Sequence, residues 1–296
     1  MKQPRLIDPR NMFYDHKFPD QEQETPAIQN DMTPEPDCGE ATYQGHELLT
    51  DRTALITGGD SGIGRAVAIA YAREGADIAI QYFPGEEKDI KEVEKIVTEA
   101  GRACLLIPKD LRDANAASEI VQQTLEHFGQ LDLLVLNAAQ QIAFESLQDL
   151  SMQQVEETFK VNIISMFESV KSAEPHLPAG ASIILTTSVQ ATDPSPSLMD
   201  YAATKGAISN LVKSLAKYFA DKGIRVNGVA PGPIWTPLQL DQGQLPGKIP
   251  EFGQHSLLGR AGQPVELSHV YVYLASNQAS YVTSQIYGIT GGQAIH

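Results

Sequence analysis

The sequence predicts a single doubly wound α/β domain with a mostly parallel sheet, preceded by an extended N-terminal arm. Three observations predict it. Short apolar runs alternate with amphipathic stretches from Leu48 onward, joined by short connections, which is the pattern of a parallel sheet with helices on both faces. A glycine-rich turn follows the first of these runs and opens the first helix. Residues 1–45 share neither feature: they show no apolar period and hold six of the chain's 18 prolines.

The elements read in order as follows. Residues 54–57 form a short buried strand, 58–64 the glycine turn and 65–74 a helix, whose Ala66, Ala68, Ala70 and Ala72 permit close packing and which Gly75 ends. A second strand covers 77–82, a charged amphipathic helix 88–100, a third strand 103–108 and a third helix 114–128. The fourth strand, 131–137, is apolar along 133–136, as a parallel strand covered on both faces must be. A long helix over 152–173, a strand over 181–188 and a second long helix over 200–220 follow. A strand at 225–230, a helix at 264–274 and a strand at 284–290 complete the set. No second composition regime divides residues 46–296. The arm, 1–45, reads as extended with a turn at 34–37, or as a disordered tail. In the first reading Leu6, Ile7, Met12, Phe13, Tyr14 and Phe18 pin it to the body or to a neighbouring subunit.

Composition excludes several classes. The 296 residues are 42% hydrophobic, enough for a core. Lys and Arg number 22 against 37 Asp and Glu, a net charge of −15, the wrong sign for a nucleic-acid binder or for docking on anionic lipid. The arm carries nine acidic and four basic residues, so −5 of the −15 lies there and −10 in the body. Two cysteines are too few for a disulfide framework or a cysteine-based zinc site. Cys104 reads as a core residue and Cys38 as an exposed thiol in the arm. No run of 18 apolar residues and no signal-peptide core occur, which predicts a cytoplasmic protein without membrane contact. The seven histidines are scattered without ligand spacing, so no metal site is expected.

The candidate chemistry begins at the glycine turn, Thr57 to Gly64. Its Gly-x3-Gly-x-Gly spacing (Gly58, Gly62, Gly64) removes side chains where a pyrophosphate must approach backbone, and the following helix N-terminus offers free N–H groups. Asp60, Ser61 and Ile63 fill the turn. Beyond the second strand lie Gln81, Tyr82, Phe83 and Pro84. An acid accepting from a ribose 2′-hydroxyl is due near here, and Glu86 and Glu87 come slightly late, so the choice between NAD and NADP stays open. Arg65, just after the loop, reads as a surface residue capping the helix, with a contact to a phosphate as the alternative. Asp110, after the third strand, is placed either to accept from an adenine amine or to cap the next helix.

Ser188 ends the fifth strand, where an open α/β sheet presents ligand-facing residues. Tyr201 and Lys205 stand four residues apart on a helix, about 6 Å from each other on one face. A free phenol has a pKa near about 10, and a neighbouring ammonium lowers it toward neutral pH. A Ser–Lys hydrolase is disfavoured because Ser188 lacks a Gly-x-Ser-x-Gly elbow.

Together with Asn162 and the stretch from Pro231 to Thr236, these residues resemble the classical short-chain dehydrogenase/reductase family over residues 46–296. Within it, Gly-Gly-Asp-Ser-Gly-Ile-Gly-Arg (58–65) and Tyr-Val-Tyr-Leu-Ala-Ser (271–276) are similar to a bacterial, N-terminally extended subgroup of the general stress protein 39 kind. The resemblance implies a Rossmann-type catalytic domain that transfers hydride between NAD or NADP and a small aldehyde, ketone, sugar or polyol. It implies Tyr201 as general acid or base, Ser188 as the group that holds the carbonyl oxygen, Lys205 as the residue that lowers the phenol pKa and binds the nicotinamide ribose, and Asn162 as the residue that opens a helix for a proton-relaying water. Asn137 and Ala138 would lie against the adenosine ribose, with Tyr82, Asp110, Leu111 and Val161 around the adenosine. Pro231, Gly232, Ile234 and Thr236 would border the nicotinamide. The resemblance also implies dimers and a homotetramer built on the long helices at Met152 and Asp200 and on the C-terminal segment.

One departure stands out: Asn137-Ala138-Ala139-Gln140 replaces the family's usual Asn-Ala-Gly, bringing Gln140 or Gln141 toward the rim of the substrate site. Gln190, Asp193 and Trp235 are the other candidate substrate contacts, with Trp235 either a lid over the substrate or an anchor of its own loop. Residues 243–253, rich in Gly and Pro, suit a mobile lid. The arm and the altered 137–140 stretch also admit a second function, a nucleotide-bound sensor or binding module without turnover.

Overall fold

The computed structural model describes residues 6–295. Seven strands form one sheet in the order β3-β2-β1-β4-β5-β6-β7, and every neighbouring pair is parallel. The strands are β1 Thr53–Thr57, β2 Asp77–Tyr82, β3 Cys104–Pro108, β4 Leu133–Leu136, β5 Ser182–Thr186, β6 Arg225–Pro231 and β7 Ile286–Ile289. Consecutive central strands are buried on both faces, which is why they read as unbroken apolar runs.

The helices are α1 Gly62–Arg73, α2 Glu87–Glu99, α3 Ala116–Phe128, α4 Met152–Phe159, α5 Ser165–Ala173, α6 Met199–Phe219 and α7 Val265–Ala275. Alternate residues of β1 divide the core. Ala54 and Ile56 face a cluster with Val67, Tyr71, Leu267 and Tyr271 from α1 and α7. Leu55 faces the other side, with Ile120, Met166, Ile208 and Val212 from α3, α5 and α6. The strand order reverses between β1 and β4, so a crevice opens at their carboxyl ends, the place where open α/β sheets bind ligands.

Two element boundaries differ from expectation for a physical reason. The long helix predicted over 152–173 is interrupted at Lys160–Ile164 by a π turn containing Asn162. The apolar period runs on through this insertion, so periodicity does not reveal it. Strand β5 stops at Thr186, and Ser188 stands two residues past it, capping a 3₁₀ turn at Val189–Ala191.

The described part of the arm lies along the body. It has one 3₁₀ turn, Gln29–Asp31, and its later turn starts at Gly39 rather than falling at 34–37. Of the large residues expected to pin it, Phe18 is buried, Phe13 and Tyr14 are half-buried, and Leu6, Ile7 and Met12 are exposed. Buried Ala27 and Met32 join Phe18 in a cluster with Trp235, Leu240, Ile249 and Ala261.

Candidate active site

Thr57 at the end of β1 fixes the next strand's exit: its Oγ1 accepts from the backbone N–H of Asn137 (2.9 Å) and Ala138 (3.1 Å). Asn137 Nδ2 in turn donates to the Gly58 carbonyl at 3.1 Å. The glycines are required by geometry. Gly58 has φ +61° and Gly62 φ +51°, both left-handed. A Cβ at Gly64 would sit 1.8 Å from the Gly58 carbonyl oxygen, and one at Gly62 would sit 2.8 Å from Thr236. The turn therefore presents bare backbone at the N-terminus of α1, which fits a pyrophosphate.

This turn forms one side of a cavity of about 240 Å³. Gly58, Asp60, Ser61, Gly62, Ile63, Asp110, Leu111, Asn137, Ala138, Val161 and Thr236 all line it. Gln81, Phe83, Glu86, Arg112 and Asp241 line it too, as do Thr25, Pro26 and Ala27 from the arm. Tyr82 does not. Its side chain alternates to the opposite face of β2 from Gln81 and packs in the core, which corrects its expected place beside the adenosine.

The acids here are set by burial. Asp60 is 2% exposed, and its carboxyl is buried against Ser61 and Glu86, with which it shares hydrogen bonding. Burial, with the neighbouring acids, raises both the Asp60 and the Glu86 carboxyls well above the ordinary range. Glu86 is not too late for the site: the chain turns back after β2 so that its Oε2 accepts from the Phe83 N–H at 2.9 Å. Burial alone would raise the Asp110 carboxyl, but hydrogen bonds from Arg112 (2.7–3.0 Å) hold it below its usual value.

A second cavity of about 560 Å³ continues from the first past Ile63, Ala139, Thr236 and Leu238, which line both. Ser188, Gln190, Asp193, Tyr201, Lys205, Pro231, Gly232 and Ile234 line it, with Gln141, Gln239, Gln244, Phe252, His255 and Leu257. Tyr201 and Lys205 are almost fully buried, and the Lys205 Nζ lies 5.2 Å from the centre of the Tyr201 ring. The same Nζ donates to the Thr186 carbonyl at 2.9 Å. Burial pushes the Tyr201 phenol up to about 12, opposed by hydrogen bonding from Ser188, and burial pushes the Lys205 amine down to about 7. Desolvation thus disfavours the charged form of both groups.

Asn162 lines neither cavity. Its Oδ1 accepts from the Gln140 N–H (2.7 Å), and its Nδ2 donates to the Gln140 carbonyl (3.0 Å) and to Thr204 Oγ1 (3.0 Å). The Gln140 side chain turns to Thr158, whereas Gln141 reaches the second cavity, where its Nε2 donates to the Gly243 carbonyl at 2.7 Å. The 137–140 departure thus leaves backbone groups to tie the loop to the π turn, and Gln141 is the residue delivered to the substrate side.

Three further expectations are corrected. Trp235 is fully buried and lines neither cavity: its ring stacks on Phe18 at 3.8 Å and its Nε1 donates to the Pro34 carbonyl at 2.8 Å. It anchors the arm and is no substrate contact. Arg65 is 0% exposed, not a surface residue, and pairs with Glu40 (2.9 Å), Glu92 (3.0 Å) and Glu35 (3.8 Å). Cys38 is buried rather than exposed, with its Sγ 3.4 Å from the Gly62 carbonyl. Phe252 lies within the expected lid, whereas sequence reasoning missed Thr25–Ala27, His255 and the Thr186 carbonyl. A backbone oxygen leaves no trace in a sequence, and the others stand in segments without periodicity.

A glycine turn at a helix N-terminus, joined to a cavity holding a Tyr/Lys pair and a Ser, defines an NAD(P)-dependent oxidoreductase. The comparisons with known proteins agree: residues 58–294 match the family model described as Enoyl-(Acyl carrier protein) reductase, and the chain belongs to the short-chain dehydrogenase/reductase family. It is 54% identical to the uncharacterized oxidoreductase YghA of Escherichia coli K12, over 97% of this chain and 98% of that one. It is 44% identical to general stress protein 39 of Bacillus subtilis, over 95% and 98%. Among solved structures, a Burkholderia cenocepacia short-chain dehydrogenase in complex with NADP is 30% identical, with a TM-score of 0.76, over 83% of this chain and 99% of that one. Among the described residues, no helix is long and apolar enough to cross a membrane.

Proposed function

We propose that the chain transfers hydride between a nicotinamide cofactor and a small carbonyl or alcohol substrate (an aldehyde, ketone, sugar or polyol), with Tyr201 as general acid and base. The observation that carries this reading is the meeting of Ser188, Tyr201 and Lys205 in one cavity that runs on into the glycine turn.

The glycine turn holds the pyrophosphate on backbone N–H groups, and Asn137, Ala138 and Leu111 take the adenosine. When bound, the nicotinamide supplies or accepts the hydride. The Ser188 hydroxyl donates to the carbonyl oxygen and orients it. The Tyr201 O–H then passes its proton to that oxygen in reduction, and the phenolate takes it back in oxidation. Lys205 binds ribose hydroxyls through the ammonium it now directs at Thr186, and stabilises the phenolate by charge. Asn162 stands in the π turn between α4 and α5, where a relaying water would sit. The lining is mixed: Gln141, Gln190, His255 and Asp193 against Leu257 and Phe252, which suits a short substrate bearing hydroxyls.

The cofactor preferred is NAD. A ribose 2′-hydroxyl brings no charge to this end, whereas a 2′-phosphate would enter a cavity lined by Asp60 and Asp241, with Arg112 already committed to Asp110. The protein acts in the cytoplasm as a homotetramer, in which exposed Met152, Ile164 and Phe167 on the α4–α5 face become covered. Light scattering that returned a monomer mass would overturn the tetramer.

The central test is Tyr201→Phe, assayed in both directions with NAD and NADP on a panel of short aldehydes, ketones and polyols. Activity should fall at least about a hundredfold. Activity equal to wild type would falsify the mechanism.

A further inference from the structure

The arm reaches the two ends of the site by separate sets of contacts. At the glycine turn, buried Gln29 accepts the Gly62 N–H on its Oε1 at 2.7 Å. The backbone N–H groups of Gln29 and Asn30 donate to the Asp89 carboxylate on α2 at 2.6 and 3.1 Å, so Gln29 is itself held. Farther along, Asn30 Oδ1 accepts from Arg65 at 3.1 Å. Gly62 is the first residue of α1, where N–H groups have no helical partner. Buried without an acceptor, its N–H would cost free energy; an acidic acceptor would cancel the positive end of the helix. A neutral amide satisfies the donor and leaves that end for an anion.

At the adenosine end, Thr25, Pro26 and Ala27 line the smaller cavity. Thr25 Oγ1 donates to Asp241 (2.5 Å) and accepts from Gln242 Nε2 (2.9 Å). Asp241 and Gln242 begin the segment over the larger cavity, and the Gln242 carbonyl accepts the Ala143 N–H at 2.8 Å. The arm therefore bridges the glycine turn and the segment above the substrate.

We propose that the arm is part of the dinucleotide site, with Thr25–Ala27 as a wall at its adenosine end and Gln29 as a positioning residue that sets the glycine turn for the pyrophosphate. This rests on the oxidoreductase reading for the ligand's identity. A dinucleotide leaving the site must then displace the wall, which Thr25 latches to Asp241.

The full-length chain is tested as wild type, Gln29→Met and Thr25→Val. Calorimetry measures binding of ADP-ribose, saturation-transfer NMR measures nicotinamide mononucleotide, and stopped flow measures dissociation of reduced dinucleotide. Gln29→Met should weaken ADP-ribose about fivefold to tenfold, the worth of one buried hydrogen bond, with the mononucleotide unchanged. That split separates positioning from general loosening of the fold. Thr25→Val, at an exposed position, should speed dissociation about fivefold while thermal melting stays near wild type. Variants indifferent in both readouts, or equal losses for both fragments, overturn the proposal. If Gln29→Met does not fold, Thr25→Val decides alone. A wild-type chain that binds neither NAD nor NADP instead defeats the oxidoreductase reading, and the arm proposal with it.

Discussion

The Lys205 ammonium, 5.2 Å from the centre of the Tyr201 ring, donates to the Thr186 carbonyl at 2.9 Å. The last residue of β5 thus holds the amine in place. Both side chains are almost fully buried, and burial disfavours the charged form of each.

A consequence for the reaction follows. Alcohol oxidation needs the phenolate, so its rate should rise with pH, while carbonyl reduction, which needs the phenol, should hold to higher pH. Replacing Lys205 by Met removes the group that holds the ribose and that, where protonated, stabilises the phenolate. Oxidation should fall by at least about a hundredfold and its pH profile should move to the alkaline side. Rates measured in both directions across pH 6 to about 10 check this.

The same amine affects stability. Its folded pKa, about 7, lies below the ordinary 10.5. Between these values the unfolded chain binds the proton and the folded one does not. Stability contributed at this position is therefore greatest at high pH and is lost as pH falls through that window. Lys205→Met should melt higher than wild type near neutral pH, by about 2–4 °C for each 1 kcal/mol relieved, with the gain shrinking toward pH 10.5. Melting curves across that range settle it; a constant difference would sink the idea.

For the cofactor, wild type should bind NAD at least about tenfold more tightly than NADP, since Asp60 and Asp241 line that cavity and Arg112 is committed to Asp110. Glu86→Arg should narrow or reverse that ratio chiefly by strengthening NADP. The dissociation constants of the two dinucleotides, measured at fixed ionic strength, give the answer, and an unchanged ratio would remove Glu86 from the account.

Arg65 offers a stability test away from the chemistry. Its guanidinium is buried against Glu35, Glu40 and Glu92, two on the arm and one on α2. Arg65→Met leaves those carboxylates facing one another without a cation. Because the partners are partly exposed, the loss should be about 2–3 kcal/mol, below the full cost of breaking a buried pair. Denaturant unfolding measures it, and a loss below about 0.5 kcal/mol would show the pairs to be as weak as surface ones.

Features carried by neighbours in sequence were legible. The glycine spacing specifies the turn, Tyr201 and Lys205 share a helix face by their interval, and apolar runs mark the strands. Features that depend on distant partners were not. Arg65 reads as a surface residue until Glu35 and Glu40 of the arm fold over it, and Trp235 reads equally as a lid or an anchor until Phe18 occupies its face. Asn162 shows no break in apolar period although its helix opens there. Glu86 looked late only because the count along the chain does not show the turn after β2 that brings it back.

The Phe18–Trp235 stack also imposes an order on biosynthesis. The arm is made first, yet the Trp235 indole that donates to Pro34 comes 201 residues later, and the Arg260 side chain that donates to the Pro9 carbonyl comes 251 residues later. Phe18 must wait without its partner while the sheet is synthesised, and closing so large a loop is slow. An acidic, proline-rich stretch repels its copies on neighbouring ribosomes and resists forming strands, so it can wait in solution without aggregating.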